Sequence, residues 1–225
     1  MSTLNIVAVV AEKGGVGKTT LALSLAVAAV QAGRKVAVLD LDPQATAAQW
    51  TDRRTPEFPW VVATPASRVK AAIESAKGQG VDFLVIDTPP HAGSDAVEAA
   101  RCAELVLIPM EPHLYSLETL PKITNLLQLS GDVPAIVVLS KSAIQGKESR
   151  DAAKHIREQG FEVCPATLHL RAAHRHAGNL GQTAQEYEPN GKAAEESQQV
   201  YTYTMQRLTK GKARHGQAKP ALARA

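Results

Sequence analysis

Aromatic side chains are scarce in this chain: phenylalanine, tryptophan and tyrosine together make up 4% of its 225 residues. That scarcity speaks against nucleic-acid binding by base stacking, which needs aromatic platforms. Cysteine is nearly absent as well. Cys102 and Cys164 show no metal-ligand spacing, so a disulfide framework is not expected and a reducing compartment is. Long apolar runs are missing, and none approaches the roughly 18 residues of a membrane span. Residues 1–10 carry no basic leader, and their apolar run is too short for a secretory signal. The expectation is a soluble, cytoplasmic protein.

What is present fits one sizeable core. Apolar content is 44%, ordinary for a globular chain. Short, nearly continuous runs of valine, isoleucine and leucine recur at 6–10, 36–41, 83–86, 105–108 and 136–139. Such runs read as strands buried on both faces of a parallel sheet. Helical patterns fill the gaps at 20–32, 44–53, 67–77, 94–103, 117–129 and 147–158. The alternation predicts an α/β fold, a mostly parallel twisted sheet with helices on both faces. A short strand is expected near 161–164, an edge strand at 60–63 within a proline-rich connection, and a last helix over 192–208. The chain thus reads as one domain over 1–208 followed by a basic, flexible tail over 209–225.

Net charge is +3, but it is unevenly placed. Six lysines and arginines and no acidic residue lie between Arg207 and Ala225; without them 19 basic residues face 22 acidic ones. The positive balance belongs to the C-terminal end. By itself the tail suits either an acidic partner such as DNA or a solvated end that aids solubility.

The strongest signal is local. Residues 13–20 read Lys-Gly-Gly-Val-Gly-Lys-Thr-Thr, following one apolar run and opening a helical stretch, the order a phosphate-binding loop requires. Gly14, Gly15 and Gly17 allow a tight turn whose N–H groups, with that of Val16 between them, face phosphate oxygens at a helix N-terminus. Lys18 is placed to reach the β- and γ-phosphates and the Thr19 hydroxyl to ligate Mg²⁺, with Thr20 beside it. Where the usual loop has its first glycine this chain has Glu12, and Lys13 adds a second cation beside the terminal phosphate.

Ligands of open α/β sheets bind at the carboxyl ends of strands. Two of those ends carry aspartates: Asp40-Leu41-Asp42-Pro43-Gln44, and Asp87 after Phe83-Leu84-Val85-Ile86. Both Asp40 and Asp42 face the phosphate site if the strand continues through Asp42. Asp87 is the candidate metal carboxylate, Asp40 a holder of the metal's water shell, and Asp42 the group that orients or deprotonates the attacking water. His169, His174 and His176 lack supporting cysteine or carboxylate spacing for a metal site, and His91 and His113 read as loop residues.

This set of motifs resembles the deviant Walker A ATPases of the ParA/MinD superfamily, and Asp-Pro-Gln after the second strand looks most like the ParA partition ATPases. The likeness continues through Ile108-Pro109-Met110-Glu111-Pro112 to the last helix. It implies a weak ATPase using ATP and Mg²⁺, whose nucleotide joins two copies face to face while Lys13 of each reaches the other's ligand. It further implies sequence-independent DNA binding near the C-terminus, with Arg171, Arg175, Lys192, Arg207 and Lys210 as counterparts, joined by Lys212 and Arg214 of the tail. Lys141, after the 136–139 strand, would lie by the adenine.

A phosphate loop within the first strand implies the short form, without a helix-turn-helix domain. Such a protein works with a separate ParB-like or small centromere-binding adaptor. The implied role is a nucleoid-associated partition switch whose cargo is a plasmid, with a chromosome origin or a protein assembly as other cargoes. The alternative is a MinD-like membrane-associated regulator of division-site placement. That needs a strongly amphipathic C-terminal helix, whereas 205–225 offers Leu208 and Leu222 but no Trp, Phe or Ile, so no stable membrane binding is expected. A metabolic enzyme of the same superfamily is disfavoured, because Cys102 lacks the second cysteine of a dimer-bridging cluster.

Overall fold

The computed structural model describes residues 4–91 and 93–217, with side chains described as far as position 211. Strands β1 (Asn5–Val9), β2 (Val36–Asp40), β3 (Trp60–Ala63), β4 (Phe83–Asp87), β5 (Leu105–Met110) and β6 (Ala135–Ser142) are laid down in turn. Helices α1 (Lys18–Gln31), α2 (Thr46–Thr51), α3 (Val69–Gly78), α4 (Ser94–Cys102), α5 (Leu114–Leu117), α6 (Leu120–Leu129) and α7 (Glu148–Glu158) connect and follow them. The short strands β7 (Glu162–Val163) and β8 (Leu168–His169) precede α8 (Ala172–Asn179), α9 (Ala184–Tyr187) and α10 (Lys192–Gln217). The sheet order is β3-β2-β4-β1-β5-β6-β7, and β8 pairs with β6 further along the same strand. Every pairing among the described residues is parallel.

The apolar runs are continuous because alternate residues meet different helix layers. Ala8, Leu39, Leu84, Ile86, Ile108 and Leu139 face α3, α4, α6 and α7 through Ile73, Ala99, Ile123 and Ile156. Val7, Val9, Val38, Phe83, Val85 and Leu107 face α1 and α10 through Leu21, Leu25, Val200, Tyr201 and Leu208. Helix α1 is apolar nearly all round because α10 and α9 cover the side turned away from the sheet. The helix that begins at the phosphate loop is therefore clamped on both sides.

Several boundaries differ from the sequence reading, each for a local reason. The expected 117–129 helix begins only at Leu120, after the separate short α5, with Pro121 in its first turn, where a missing N–H costs nothing. Helix α2 begins at Thr46 rather than 44, after Ala45 adopts a left-handed φ of 52°. Helix α10 does not stop near Leu208 but runs through Gly211 to Gln217. One glycine costs a helix only about 1 kcal/mol, and the buried Val200, Tyr201 and Leu208 anchor this one. The expected tail thus begins as helix; the side chains of Lys212 and Arg214, and residues 218–225, lie outside the described residues. Segment 168–187, which held no expected element, forms β8, α8 and α9.

Candidate functional site: a phosphate loop over two buried aspartates

Parallel register brings the ends of three strands together. Val9 of β1 lies opposite Asp87 of β4, and Asp87 lies opposite Asp40 of β2. The loop after β1 turns on Gly15 (φ 78°) and Gly17 (φ 93°), left-handed conformations that a side chain would strain. Gly17 is the N-cap of α1, so the helix's unpaired first-turn N–H groups open onto the loop.

Lys18 is 8% exposed, and its Nζ donates to the Lys13 carbonyl at 3.4 Å. Burial depresses its pKa; the neighbouring Asp87 and then Asp42 pull it back up. Asp87 is fully buried, and neither carboxylate oxygen has a hydrogen-bond partner of acceptable geometry. The Thr19 hydroxyl is near enough to favour its charged form yet falls short of that geometry. Burial dominates, with Asp40 and Asp42 adding repulsion, and the Asp87 carboxyl is pushed up to about 7. An orphaned carboxylate beside a threonine hydroxyl suits a hydrated divalent cation, which would satisfy both. Among the described residues no group of three His, Cys, Asp or Glu side chains could hold a metal by itself. A cation here would draw its remaining ligands from phosphate and water.

That isolation has a measurable consequence in the nucleotide-free chain. The unfolded aspartate loses its proton near pH 4, whereas the folded one keeps it to about 7. Stability therefore falls as pH rises between those values and levels off above. Asp87→Asn should remove this dependence, leaving stability at pH 5 little changed and raising it at pH 8 by roughly 1–3 kcal/mol after allowing for a buried amide. Urea unfolding at the two pH values measures this; equal pH profiles for the two chains would contradict it.

The structure ties Asp40 to the backbone of the segment that follows it. Its Oδ1 accepts from the Asp42 N–H at 3.1 Å, and its Oδ2 from Ala47 and Ala48 at 2.9 and 3.2 Å. Accepting from three N–H groups makes this carboxylate an anchor for α2 and the loop before it. Burial still raises its pKa, against the lowering by those N–H groups. Asp42 departs from expectation, because β2 ends at Asp40 and Asp42 lies in the following turn. There its Oδ1 accepts from the Gln44 N–H at 2.9 Å. It remains near enough to Lys18 and Asp87 to shift both.

Two features around the loop had no sequence signal. Ser140 donates to the Val16 carbonyl at 2.8 Å, tying β6 to the loop, and the exposed Lys141 follows with a left-handed φ of 49°. Glu12 receives Lys122 of α6 at 2.6 Å, while Lys13 Nζ lies 5.5 Å from the centre of the Tyr115 ring.

The basic candidates divide. Arg171 is engaged by Glu196 at 2.7 Å, together with His169 Nδ1, also at 2.7 Å, and is no free cation. Arg207 meets Glu162 at 2.5 Å. Both pairs join α10 to the body of the protein. Lys192 meets Glu195 at 2.7 Å but is largely exposed, and Arg175 and Lys210 are exposed. Leu208 is 4% exposed and belongs to the core, so it is not available to a membrane. Among the described residues no helix is long and apolar enough to cross one.

A family model for the CobQ/CobB/MinD/ParA nucleotide binding domain matches residues 7–178. The chain belongs to this family. As a CobQ/CobB/MinD/ParA domain it is 30% identical, over 90% of its length and 93% of the relative's, to "Maintenance of carboxysome distribution protein A" of Gloeobacter kilaueensis. It is 28% identical to "Chromosome-partitioning ATPase Soj" of Thermus thermophilus, over 50% of this chain and 57% of that protein. The fold of this family member superposes on the MinD cell division protein of Aquifex aeolicus with a TM-score of 0.73, covering 96% of this chain and 99% of that one at 17% identity.

Proposed function

We propose that this member of the CobQ/CobB/MinD/ParA family is an ATP-driven positioning switch. Mg-ATP joins two copies face to face, the dimer binds DNA without sequence preference, and adaptor-stimulated hydrolysis to ADP and phosphate releases it. The observation that carries this reading is the phosphate loop itself, with Lys18 buried beneath it and the half-buried Lys13 at its front. In the assembled site, Gly14, Gly15, Val16 and Gly17 offer backbone N–H groups to phosphate oxygens, with Thr20 in the first turn of α1. Thr19 and Asp87 would hold Mg²⁺, which when bound offsets phosphate charge. Asp42 orients or deprotonates the water that attacks the γ-phosphorus, and ADP leaves. Lys13 of each copy contributes positive charge to the nucleotide of the other, so that assembly depends on the terminal phosphate. Lys141 lies by the base.

Cytoplasmic, nucleoid-associated behaviour follows from such DNA binding. For the cargo, a plasmid carried through a ParB-like or small centromere-binding adaptor agrees with the Asp-Pro-Gln motif. A protein assembly is the second reading, favoured because the match to the carboxysome-distribution relative spans nearly both chains. A MinD-like membrane role is disfavoured by the burial of Leu208.

The test is ATP-dependent DNA binding by the full chain. Binding should require Mg²⁺ and a non-hydrolysable ATP analogue and should fall steeply with salt. Replacing Arg175 and Lys210 with alanine should weaken it and lower the log–log salt slope by about 0.9 for each phosphate no longer neutralised. Arg171→Ala should instead lower thermal stability, leaving Glu196 without its guanidinium. DNA binding indifferent to nucleotide, or ATP-dependent flotation with anionic vesicles in its place, would reject the proposal.

A further inference from the structure

Two consecutive side chains at the front of the phosphate loop reach the same neighbouring segment. Glu12 pairs with Lys122 of α6, and Lys13 lies over the ring of Tyr115 in α5. Tyr115 is 71% exposed and Leu114 beside it 66%. Ser116 is buried, Thr119 Oγ1 donates to the Ser116 carbonyl at 2.7 Å, and the His113 ring meets Glu111 at 2.9 Å and the Ser116 hydroxyl at 3.4 Å. The same His113 ring lies edge-on to Tyr115, with ring centres 6.4 Å apart. Behind Lys13, the gap lined by Met110, Ser116, Thr119 and Ile123 is a cavity of only about 10 Å³. That is room for a single water and not for a folded lysine stem.

We propose that Tyr115 is a positioning residue for Lys13, its ring keeping the ammonium at the front of the phosphate loop, ready to enter the nucleotide site of a second copy. The inference rests on the cross-chain role given to Lys13 above. A lysine has four rotatable stem bonds, and ordering them on association opposes binding. An aromatic face within about 6 Å of the ammonium restricts those rotamers in advance. Because the ring carries no formal charge, the ammonium keeps its full attraction for phosphate. Order already present in the free chain is order that association need not impose.

The test uses the full chain with a non-hydrolysable ATP analogue and Mg²⁺, and measures the dimer dissociation constant by sedimentation. In parallel, mass spectrometry follows reductive methylation of Lys13 in the nucleotide-free chain. Tyr115→Ala should weaken the dimer about two- to fivefold and speed Lys13 methylation by a similar factor. Tyr115→Phe, which keeps the ring, should match the unaltered chain in both. Nucleotide affinity of the dilute monomer should be the same in all three. A weaker Tyr115→Ala dimer with unchanged Lys13 reactivity would overturn the proposal, since the ring would then touch the second copy directly and leave the lysine alone. A tighter dimer would overturn it by showing that the ring sequesters the lysine. If the unaltered chain itself fails to dimerise, the proposed function is what fails; if it dimerises and Tyr115→Ala changes nothing, only this inference does.

Discussion

Lys18→Ala should abolish useful nucleotide binding, lowering affinity by at least about 100-fold, roughly the 3 kcal/mol of a charge-assisted hydrogen bond in a desolvated site. The ammonium is 8% exposed and is held in the loop by the Lys13 carbonyl. Its burial already depresses its pKa, so the free protein carries this cation at a cost that bound phosphate would relieve. The variant should therefore fold normally, since it gives up a poorly solvated charge rather than apolar packing. Isothermal titration with ATP and Mg²⁺, with circular dichroism as the folding control, measures both halves. Retained affinity in a folded variant would show that the nucleotide binds elsewhere.

Asp42→Ala should leave ATP binding within about twofold and lower turnover by about 10²–10⁴, the span of a lost general base. ATP-bound dimers would then persist on DNA. The variant has a structural side effect to separate, because Asp42 Oδ1 also accepts the Gln44 N–H at 2.9 Å. Asp42→Asn keeps an acceptor for that bond and keeps the backbone N–H that Asp40 receives at 3.1 Å. If chemistry is the cause, alanine and asparagine should be equally impaired in single-turnover phosphate release. Recovery of the rate by asparagine would remove Asp42 as a base and leave it to orient the water or shape the turn.

The legibility of this protein follows the length scale of each feature. The phosphate loop was readable because its parts are contiguous: glycines at set intervals, a lysine and a threonine, then a helix. The strands were readable because burial on both faces leaves unbroken apolar runs. The edge strand at 60–63 was placed from its flanking prolines, and β3 has those bounds. Roles that depend on distant partners were not readable. Asp40 has the same local surroundings whether its oxygens meet a hydrated ion or the N–H groups of Ala47 and Ala48. Arg171 and Arg175 look alike in sequence, yet one is bound to Glu196 and the other is exposed. Tyr115 carries no pattern at all; only folding sets its ring beneath Lys13.

The order of residues by itself determined the α/β class and the phosphate chemistry, because backbone turning, strand burial and helix onset depend on neighbours along the chain. Only the tertiary structure decided which charges are free to act. It left Asp87 buried without a partner, gave Asp40 to the backbone, paired Arg171 and Arg207 internally, and buried Leu208 in the core. The physical reason is that desolvation and ion pairing are set by whatever the fold brings within a few ångströms, and position along the chain does not record that.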